Sequence, residues 1–187
     1  MKDRVFIIHG LQSIPNKAWR PWLMAEMAKY EIYTCSLPMP NADNPLCEEW
    51  VKFLNQIIGE DRNVYLVGHS LGARAVLRYL ETIKNGPIKG AVIVAGRLGR
   101  PKSGILGSFY DDPINFETIK NNCPAFTIIH GDDDPNIPVD DGKGLAEKLG
   151  GEFILVPGGG HLSGKSGFKE LPQARDALLK MIGIPLV

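Results

Sequence analysis

Length, composition and charge exclude several classes of protein at once. The 187 residues are 44% hydrophobic and 22% charged, proportions that are typical of a folded globular chain and unlike those of disordered or fibrous proteins. Lysine plus arginine and aspartate plus glutamate both number 21, so the formal net charge is zero. Because no long run of one charge occurs, the sequence suggests neither nucleic acid nor a membrane surface as a partner. A chain of this length predicts a single domain over residues 1–187.

Short apolar runs recur along the chain, with amphipathic helical patterns between them. Because the runs are continuous rather than alternating, they are typical of strands buried on both faces of a parallel sheet. The predicted strands are residues 5–8, 32–37, 64–67, 91–95, 126–129 and 153–156. The predicted helices are residues 19–28, 45–58, 71–84, 115–120, 140–149 and 172–182. This order predicts an α/β fold with a six-stranded, mainly parallel sheet, helices on both faces and a site at the carboxyl ends of the strands.

The amino-terminal residues and the cysteines bear on where the protein is found. Residues 1–4 lead directly into the first apolar run, without the longer apolar region and cleavage site of a signal peptide. Cys35, Cys47 and Cys123 show no CxxC spacing, so neither a disulfide framework nor a zinc site is indicated. No apolar stretch approaches the roughly 20 residues of a membrane-spanning helix. We therefore expect a soluble, cytoplasmic protein with reduced thiols.

Residues 68–72 match the pattern G-x-S-x-G and lie between the predicted strand 64–67 and the predicted helix 71–84. A sharp turn from strand to helix needs glycines beside the serine, because neighbouring side chains would collide there. The serine hydroxyl then stands at a helix amino terminus, where backbone N–H groups favour developing negative charge. This setting predicts that Ser70 is a catalytic nucleophile rather than a serine that merely caps a helix.

A serine hydroxyl needs a base to take its proton, and the base needs a third group to orient it. His161 follows the last predicted strand through three glycines and is the only histidine carboxyl-terminal to the candidate acids. Asp134 follows the preceding strand in a G-x-x-D-x-x-I-P pattern, with Asp133 as the alternative. The chain order serine, acid, histidine predicts a triad of Ser70, Asp134 and His161. The other three histidines are interpreted as structural: His9, His69 and His130.

An oxyanion hole is expected beside Ser70. One of its N–H groups should come from the residue after the nucleophile, which is Leu71, and another from the loop after the first strand. We predict that Leu11 supplies the second N–H group, with Gln12 as the alternative if the turn is one residue longer.

Two further patterns suggest competing chemistry. Residues 159–166 satisfy G-x-x-x-x-G-K-S, a phosphate-binding pattern, but Gly167 and Pro172 interrupt the helix that such a loop must open. The aspartates at 132–134 suggest a divalent metal, yet no partner carboxylates recur at metal-loop spacing. We therefore predict no nucleotide site, no metal and no cofactor.

The connection at residues 97–114 breaks the regular alternation of strands and helices. It contains three glycines and two prolines, and a long loop inside a compact domain is usually functional. Because it leaves the strand beside that of the nucleophile, we predict a short mobile lid over the site. Phe109 and Tyr110 are predicted to contact an acyl chain, and packing as ordinary core under a loop is the alternative.

Together, these residues resemble the small serine hydrolases related to retinoblastoma-binding protein nine, a branch of the α/β-hydrolase superfamily. The resemblance spans nearly the whole chain and rests on residues 8–10 with 19–23, 68–72, 133–135 with Pro138, and 158–161 with 167–168. It implies a minimal α/β-hydrolase fold without a large cap domain, a Ser-Asp-His triad and carboxylesterase-like activity on small acyl esters, although a thioester or an amide would suit the same triad. The family also raises a second hypothesis, a protein-binding module in which catalysis is secondary. The complete set of triad residue types argues against that hypothesis.

Overall fold

A computed structural model of the chain describes residues 2–101 and 104–186. Its strands are β1 Arg4–Ile8, β2 Tyr33–Leu37, β3 Val64–His69, β4 Gly90–Val94, β5 Phe126–Gly131 and β6 Glu152–Val156. Its α-helices are α1 Arg20–Ala28, α2 Cys47–Ile58, α3 Leu71–Leu80, α4 Gly107–Tyr110, α5 Phe116–Asn122, α6 Val139–Leu149 and α7 Pro172–Ile182. No helix among the described residues is both long and apolar enough to cross a bilayer.

Every predicted strand and helix is present, and the main difference is the end of α3. The sequence predicts a helix to residue 84, whereas α3 ends at Leu80. Immediately after it, both the N–H and the hydroxyl of Thr82 donate to the Tyr79 carbonyl, at 2.9 and 2.7 Å. A threonine bonded back to the helix end in this way favours a turn over further helix.

The sheet is entirely parallel, in the order β2-β1-β3-β4-β5-β6. From β1 the chain moves to the edge at β2 and then returns to the other side of β1 as β3, so the strand order reverses between β1 and β3. In open α/β sheets, ligand sites form outside the carboxyl ends of the strands at such a reversal. Ile8 at the end of β1 pairs with Gly68 of β3, which places the loops that follow these two strands side by side.

Helices cover both faces of the sheet, and β1 illustrates how. Its side chains alternate between the faces: Val5 and Ile7 belong to the core formed with α1 and α7, whereas Phe6 and Ile8 belong to the core formed with α2, α3, α5 and α6. Both faces of each central strand must therefore be apolar, which is the reason for the continuous apolar runs in the sequence.

The connection at residues 97–114 differs from the predicted lid. Residues 102–103 lie outside the described residues. The remainder contains a 3-10 turn at Gly104–Leu106 followed by α4. Phe109 is fully buried and packs edge-to-face on Trp50, with ring centroids 5.5 Å apart. Tyr110 is also buried, with the Arg74 guanidinium 4.2 Å from its ring centroid. The prediction that Phe109 and Tyr110 contact substrate is therefore corrected, because both side chains are held in the core.

Candidate active site

Ser70 lies at the turn between β3 and α3, in a strained backbone conformation with φ 57° and ψ −117°. Close backbone contacts explain the glycines on either side of it. A Cβ on Gly72 would lie 2.2 Å from the Ile8 carbonyl oxygen, and one on Gly68 would lie 2.6 Å from the Gly72 carbonyl oxygen. Larger residues would not fit, so the two motif glycines allow the turn that holds Ser70 at the carboxyl end of its strand.

His161 lies in the segment that leaves β6, residues 157–167, which we call the base loop. Its Nε2 is 2.9 Å from Ser70 Oγ, and its Nδ1 is 2.7 Å from Asp134 Oδ2. Because a carboxylate only accepts hydrogen bonds, the hydrogen-bond network assigns the ring hydrogen to Nδ1. Nε2 is then free to accept the Ser70 hydroxyl hydrogen. The structure thus brings together the three side chains that the sequence predicts as a triad.

Asp134 is fixed by the turn that follows β5. Its Oδ1 accepts the N–H groups of Asn136 and Ile137, at 2.8 and 3.1 Å, which leaves Oδ2 to face His161. Burial alone would raise the pKa of this enclosed carboxyl, but the hydrogen bonds from His161 and from the two N–H groups outweigh burial and lower it. Asp134 is therefore a carboxylate at neutral pH.

The two aspartates before Asp134 hold the base loop rather than the imidazole. Asp133 Oδ1 accepts the N–H of Gly160 at 2.6 Å, and Asp132 Oδ1 accepts that of Gly158 at 2.8 Å. The three carboxylates therefore diverge. Within residues 2–101 and 104–186, no group of three or more His, Cys, Asp or Glu side chains is arranged to hold a metal ion.

The base loop passes very close to the end of β5. A Cβ on Gly131 would lie 2.2 Å from the Gly160 carbonyl oxygen, so this strand end must be glycine. On the other side, the Trp19 indole N–H donates to the Leu162 carbonyl at 2.9 Å. Leu162 has a φ of 47°, unusual for a leucine. The fully buried Trp19 therefore stabilises a strained turn directly after the histidine.

The predicted oxyanion donors are Leu71, directly after Ser70 in the chain, and Leu11, in the loop after β1. Leu71 begins α3, so its N–H is in the first helical turn and has no intrahelical acceptor. Leu11 lines the cleft over Ser70, and among the described residues no acceptor is bonded to its N–H. The N–H of Gln12, by contrast, donates to the Ala42 carbonyl at 2.8 Å. That bond leaves Leu11, rather than Gln12, with a free N–H group.

His69, the residue before Ser70, forms a hydrogen bond to the base loop that the sequence did not predict. It is buried, and its Nε2 is 2.9 Å from the carbonyl oxygen of His161. Since a carbonyl only accepts, Nε2 carries a hydrogen and donates it. Burial, and then the nearby charge of His161, lower the pKa of His69 to about 3. His69 is thus a neutral donor that fixes the backbone of the base.

Two further buried histidines lie at the carboxyl ends of β1 and β5 and also bind backbone groups of loops. His9, directly after β1, bonds through Nδ1 to the Gly10 carbonyl at 2.9 Å and accepts the Met39 N–H through Nε2 at 3.3 Å. His130, in β5, donates from Nε2 to the Ile137 carbonyl at 3.1 Å, within the turn that holds the acid. In the sequence, both histidines follow an apolar run and precede a glycine, and each binds a backbone group of a loop at the carboxyl side of the sheet.

An open cleft of about 540 Å³ lies over the serine and the histidine. Its lining comes from residues 10–20, from the turn at residues 69–70, from residues 135–136 and from the base loop. Phe109 and Tyr110 are not among the residues that line it. The sequence did not point to Lys17, Arg20 or Asn136, because these residues meet only when the loops after β1, β5 and β6 converge.

The phosphate-binding pattern at residues 159–166 does not open an α-helix. Gly164–Ser166 form a single 3-10 turn that ends at Gly167 with φ 81°, and α7 begins only at Pro172. The end of this pattern lines the cleft beside Ser70 instead.

Fold and site together define the class of protein. A parallel sheet with a serine at a strained turn after β3, an aspartate after β5 and a histidine after β6 is an α/β-hydrolase fold with a nucleophile elbow. The sequence pattern of the serine hydrolase family matches residues 5–180. The chain belongs to that family.

Individual relatives agree with this assignment. The chain is 30% identical to a Bacillus subtilis protein named YdeN over 181 residues, 95% of each chain. It is 24% identical to the serine hydrolase RBBP9 of Rattus norvegicus over 172 residues, 91% of each. The crystal structure of the B. subtilis ydeN gene product superposes with a TM-score of 0.93 at 29% identity, covering 97% of this chain and 100% of that one. Est1E from Butyrivibrio proteoclasticus shares the fold, with a TM-score of 0.77 at 13% identity over 97% and 89% of the two chains.

Proposed function

We propose that the protein is a carboxylesterase-like serine hydrolase that cleaves small acyl esters through a covalent acyl-enzyme. The observation that carries this proposal is the continuous hydrogen-bonded chain from Ser70 Oγ through His161 to Asp134, at 2.9 and 2.7 Å. Such a chain supplies what a serine hydroxyl lacks, namely a base within reach and a group that orients it.

In the first half of the reaction, Ser70 Oγ attacks the ester carbonyl carbon while His161 Nε2 takes the hydroxyl proton. The imidazolium that forms is stabilised by the buried carboxylate of Asp134, which stays ionised. The oxyanion of the tetrahedral intermediate accepts the N–H groups of Leu11 and Leu71. When the intermediate collapses, the bond to the alcohol breaks, and His161 gives its proton to the departing oxygen.

In the second half, water replaces the alcohol. His161 takes a proton from water as its oxygen attacks the acyl carbon, and the same two N–H groups receive the second oxyanion. Collapse returns the proton to Ser70 Oγ and releases the carboxylic acid. The open cleft over Ser70 supports access by a small ester and by water. The apolar side chains among its described lining residues are only Leu11, Ala18 and Pro135, and so few apolar contacts favour a short acyl group over a long one.

The test is labelling with a fluorophosphonate combined with turnover of para-nitrophenyl acetate. We expect one adduct, mapped to Ser70, and loss of both labelling and turnover in Ser70→Ala. Ser108→Ala, which changes a serine outside the cleft, serves as the matched control and should retain both. An adduct on another residue would refute the nucleophile assignment. If the folded protein shows neither adduct nor turnover, the proposal fails in favour of the protein-binding hypothesis.

A further inference from the structure

The charged side chains that line the cleft over Ser70 all have the same sign. Lys17, Arg20 and Lys165 line it, whereas no aspartate or glutamate is among its lining residues in the part of the chain that the structure describes. This asymmetry is local, because the chain as a whole has equal numbers of acidic and basic residues. A cleft lined by charges of one sign concentrates its field and attracts ligands of the opposite sign.

Arg20 is the unusual member of this set because it is buried. Its exposure is 1%, yet its hydrogen bonds go to uncharged oxygens only: Ser13 Oγ at 2.9 Å, the Ile14 carbonyl at 2.8 Å and the Pro15 carbonyl at 3.2 Å. Among the described residues, Nη1 has no hydrogen-bond partner and no carboxylate lies within ion-pair distance. Buried charges are normally paired, since desolvation is costly. Arg20 therefore presents an unbalanced positive charge to the cleft.

Lys17 and Lys165 approach the cleft from two different loops. Both are exposed, and neither forms an ion pair with another described residue. Their loops touch, because a Cβ on Gly164 would lie 3.8 Å from the Ala18 Cβ. Lys17 and Lys165 are thus each next to one of two residues in contact, at the rim of one cleft, and Arg20, the first residue of α1, lines the same cleft.

Within the described ranges of the chain, the carboxylates in and after the turn that follows β5 form no ion pairs with these cations. Asp134 is bonded to His161, and Asp132 and Asp133 accept N–H groups of the base loop. Asp141 Oδ2 lies 3.9 Å from Nη1 of the Arg97 guanidinium. None of these carboxylates forms an ion pair with Lys17, Arg20 or Lys165 in the described part of the chain, so the three cations remain available to a ligand.

We infer that the preferred substrates are esters that carry an anionic group, such as a carboxylate, bound by Lys17, Arg20 and Lys165 while the ester carbonyl lies at Ser70. This inference rests on the proposed serine hydrolase activity and specifies its substrate class. The anionic group contributes to binding of both the substrate and the transition state, so it lowers KM more than it raises kcat.

The experiment compares matched pairs of esters that differ only in charge. For the acyl side, the pair is the mono-para-nitrophenyl ester of adipic acid and the corresponding ester whose free carboxylate is replaced by a carboxamide. For the alcohol side, the pair is the acetyl ester of para-hydroxyphenylpropionate and that of its carboxamide. We expect kcat/KM to favour the carboxylate by about tenfold in at least one pair at low salt. That preference should shrink as the salt concentration rises to about 0.5 M.

Charge-removing variants assign the preference to the cleft. In Lys17→Gln/Lys165→Gln, the ratio of kcat/KM values for the carboxylate and carboxamide esters should fall toward one. The matched control is Lys84→Gln/Lys89→Gln, which removes the same charge from two exposed lysines before β4, at the opposite end of the sheet. This control should keep the wild-type ratio, because its charges lie more than a screening length from the cleft at moderate salt.

The possible failures are distinguishable. If neither pair is hydrolysed and no phosphonate adduct forms at Ser70, the proposed function itself is wrong. If the carboxamide esters are hydrolysed in a Ser70-dependent way as well as the carboxylates in both pairs, the hydrolase proposal stands and the anionic-substrate inference is overturned. Equal loss of preference in the cleft and control variants would overturn it as well.

Discussion

Two irregular connections leave the carboxyl side of this sheet, and one builds the active site whereas the other packs into the core. The base loop at residues 157–167 and the connection at residues 97–114 are both rich in glycine and neither contains a long helix. The base loop brings His161 to Ser70 through polar contacts with neighbouring strand ends. The connection at residues 97–114 turns Phe109 away from the cleft and into the core.

The difference shows which property of a loop decides its role. Two carbonyls of the base loop accept hydrogen bonds from the buried Trp19 and His69, and two of its N–H groups donate to Asp132 and Asp133. Its position is therefore set by hydrogen bonds with defined directions. The other connection is held by an apolar ring in a core and by Arg74 and Arg78, which donate to the Phe109 carbonyl at 2.9 and 3.1 Å. Its contribution is therefore to stability, and three experiments test this difference between the two connections.

The largest effect on activity is expected at the aspartates of the turn after β5, Asp133 and Asp134. Asp134→Asn should reduce kcat/KM by about 10³- to 10⁴-fold, because an asparagine would no longer hold the required imidazole tautomer. Asp133→Asn, which alters a carboxylate bonded only to Gly160 N–H, should cost less than about tenfold. Kinetics of both variants on one ester test the assignment. If Asp133→Asn abolishes turnover while Asp134→Asn retains it, the roles of the two aspartates are reversed.

The next effect concerns stability rather than catalysis. Phe109→Ala should lower the free energy of unfolding by about 3–5 kcal/mol, because it leaves a cavity against Trp50. Ile105→Ala, in the same connection but at a side chain that is 40% exposed, should change it by less than about 1 kcal/mol. Urea unfolding measures both values.

Variants of Phe109 also test whether its side chain contacts the acyl group of the substrate. For folded Phe109→Ala, or for the milder Phe109→Leu if alanine prevents folding, relative rates across esters of graded acyl length should match the wild type. A changed acyl preference with unchanged stability would return this connection to the substrate site.

The smallest effect depends on pH and comes from His69. The unfolded chain binds a proton at this histidine below about pH 6.5, whereas the native pKa is about 3. Between these values the unfolded state holds more protons, so stability falls as pH falls, with a slope of up to about 1.4 kcal/mol per pH unit from this group. His69→Gln keeps an N–H donor but does not titrate, so the loss on going from pH 7 to pH 4.5 should be about 2–3 kcal/mol smaller.

A second variant separates titration from positioning. His69→Leu should flatten the pH dependence in the same way as His69→Gln but should also reduce kcat, because nothing then donates to the His161 carbonyl. Urea unfolding between pH 4.5 and pH 7, together with ester kinetics at pH 7, checks both expectations. A wild-type pH slope in His69→Gln would show that His69 is not the buried neutral donor.

Local sequence patterns determined the parallel sheet and the turn that holds the nucleophile. Apolar runs of strand length, separated by helical patterns, specified a parallel sheet because both faces of each central strand are covered. The G-x-S-x-G turn was readable because its geometry depends on residues within five positions of one another. Chain order then indicated His161, and the G-x-x-D-x-x-I-P pattern favoured Asp134 over Asp133. Asp134 and His161 lie 27 residues apart in sequence and 2.7 Å apart in space.

Other features were decided only by tertiary structure. Glycine and proline content made the connection at residues 97–114 look like a lid, but whether an apolar side chain meets solvent, substrate or core depends on Trp50, a residue distant in sequence. Likewise, nothing adjacent to Arg20 in the chain reveals that it is buried without a carboxylate beside the same cleft as Lys165. Such placements depend on several loops converging at one edge of the sheet. Local propensity therefore determined the elements and the nucleophile, and long-range packing determined the shape and charge of the cleft.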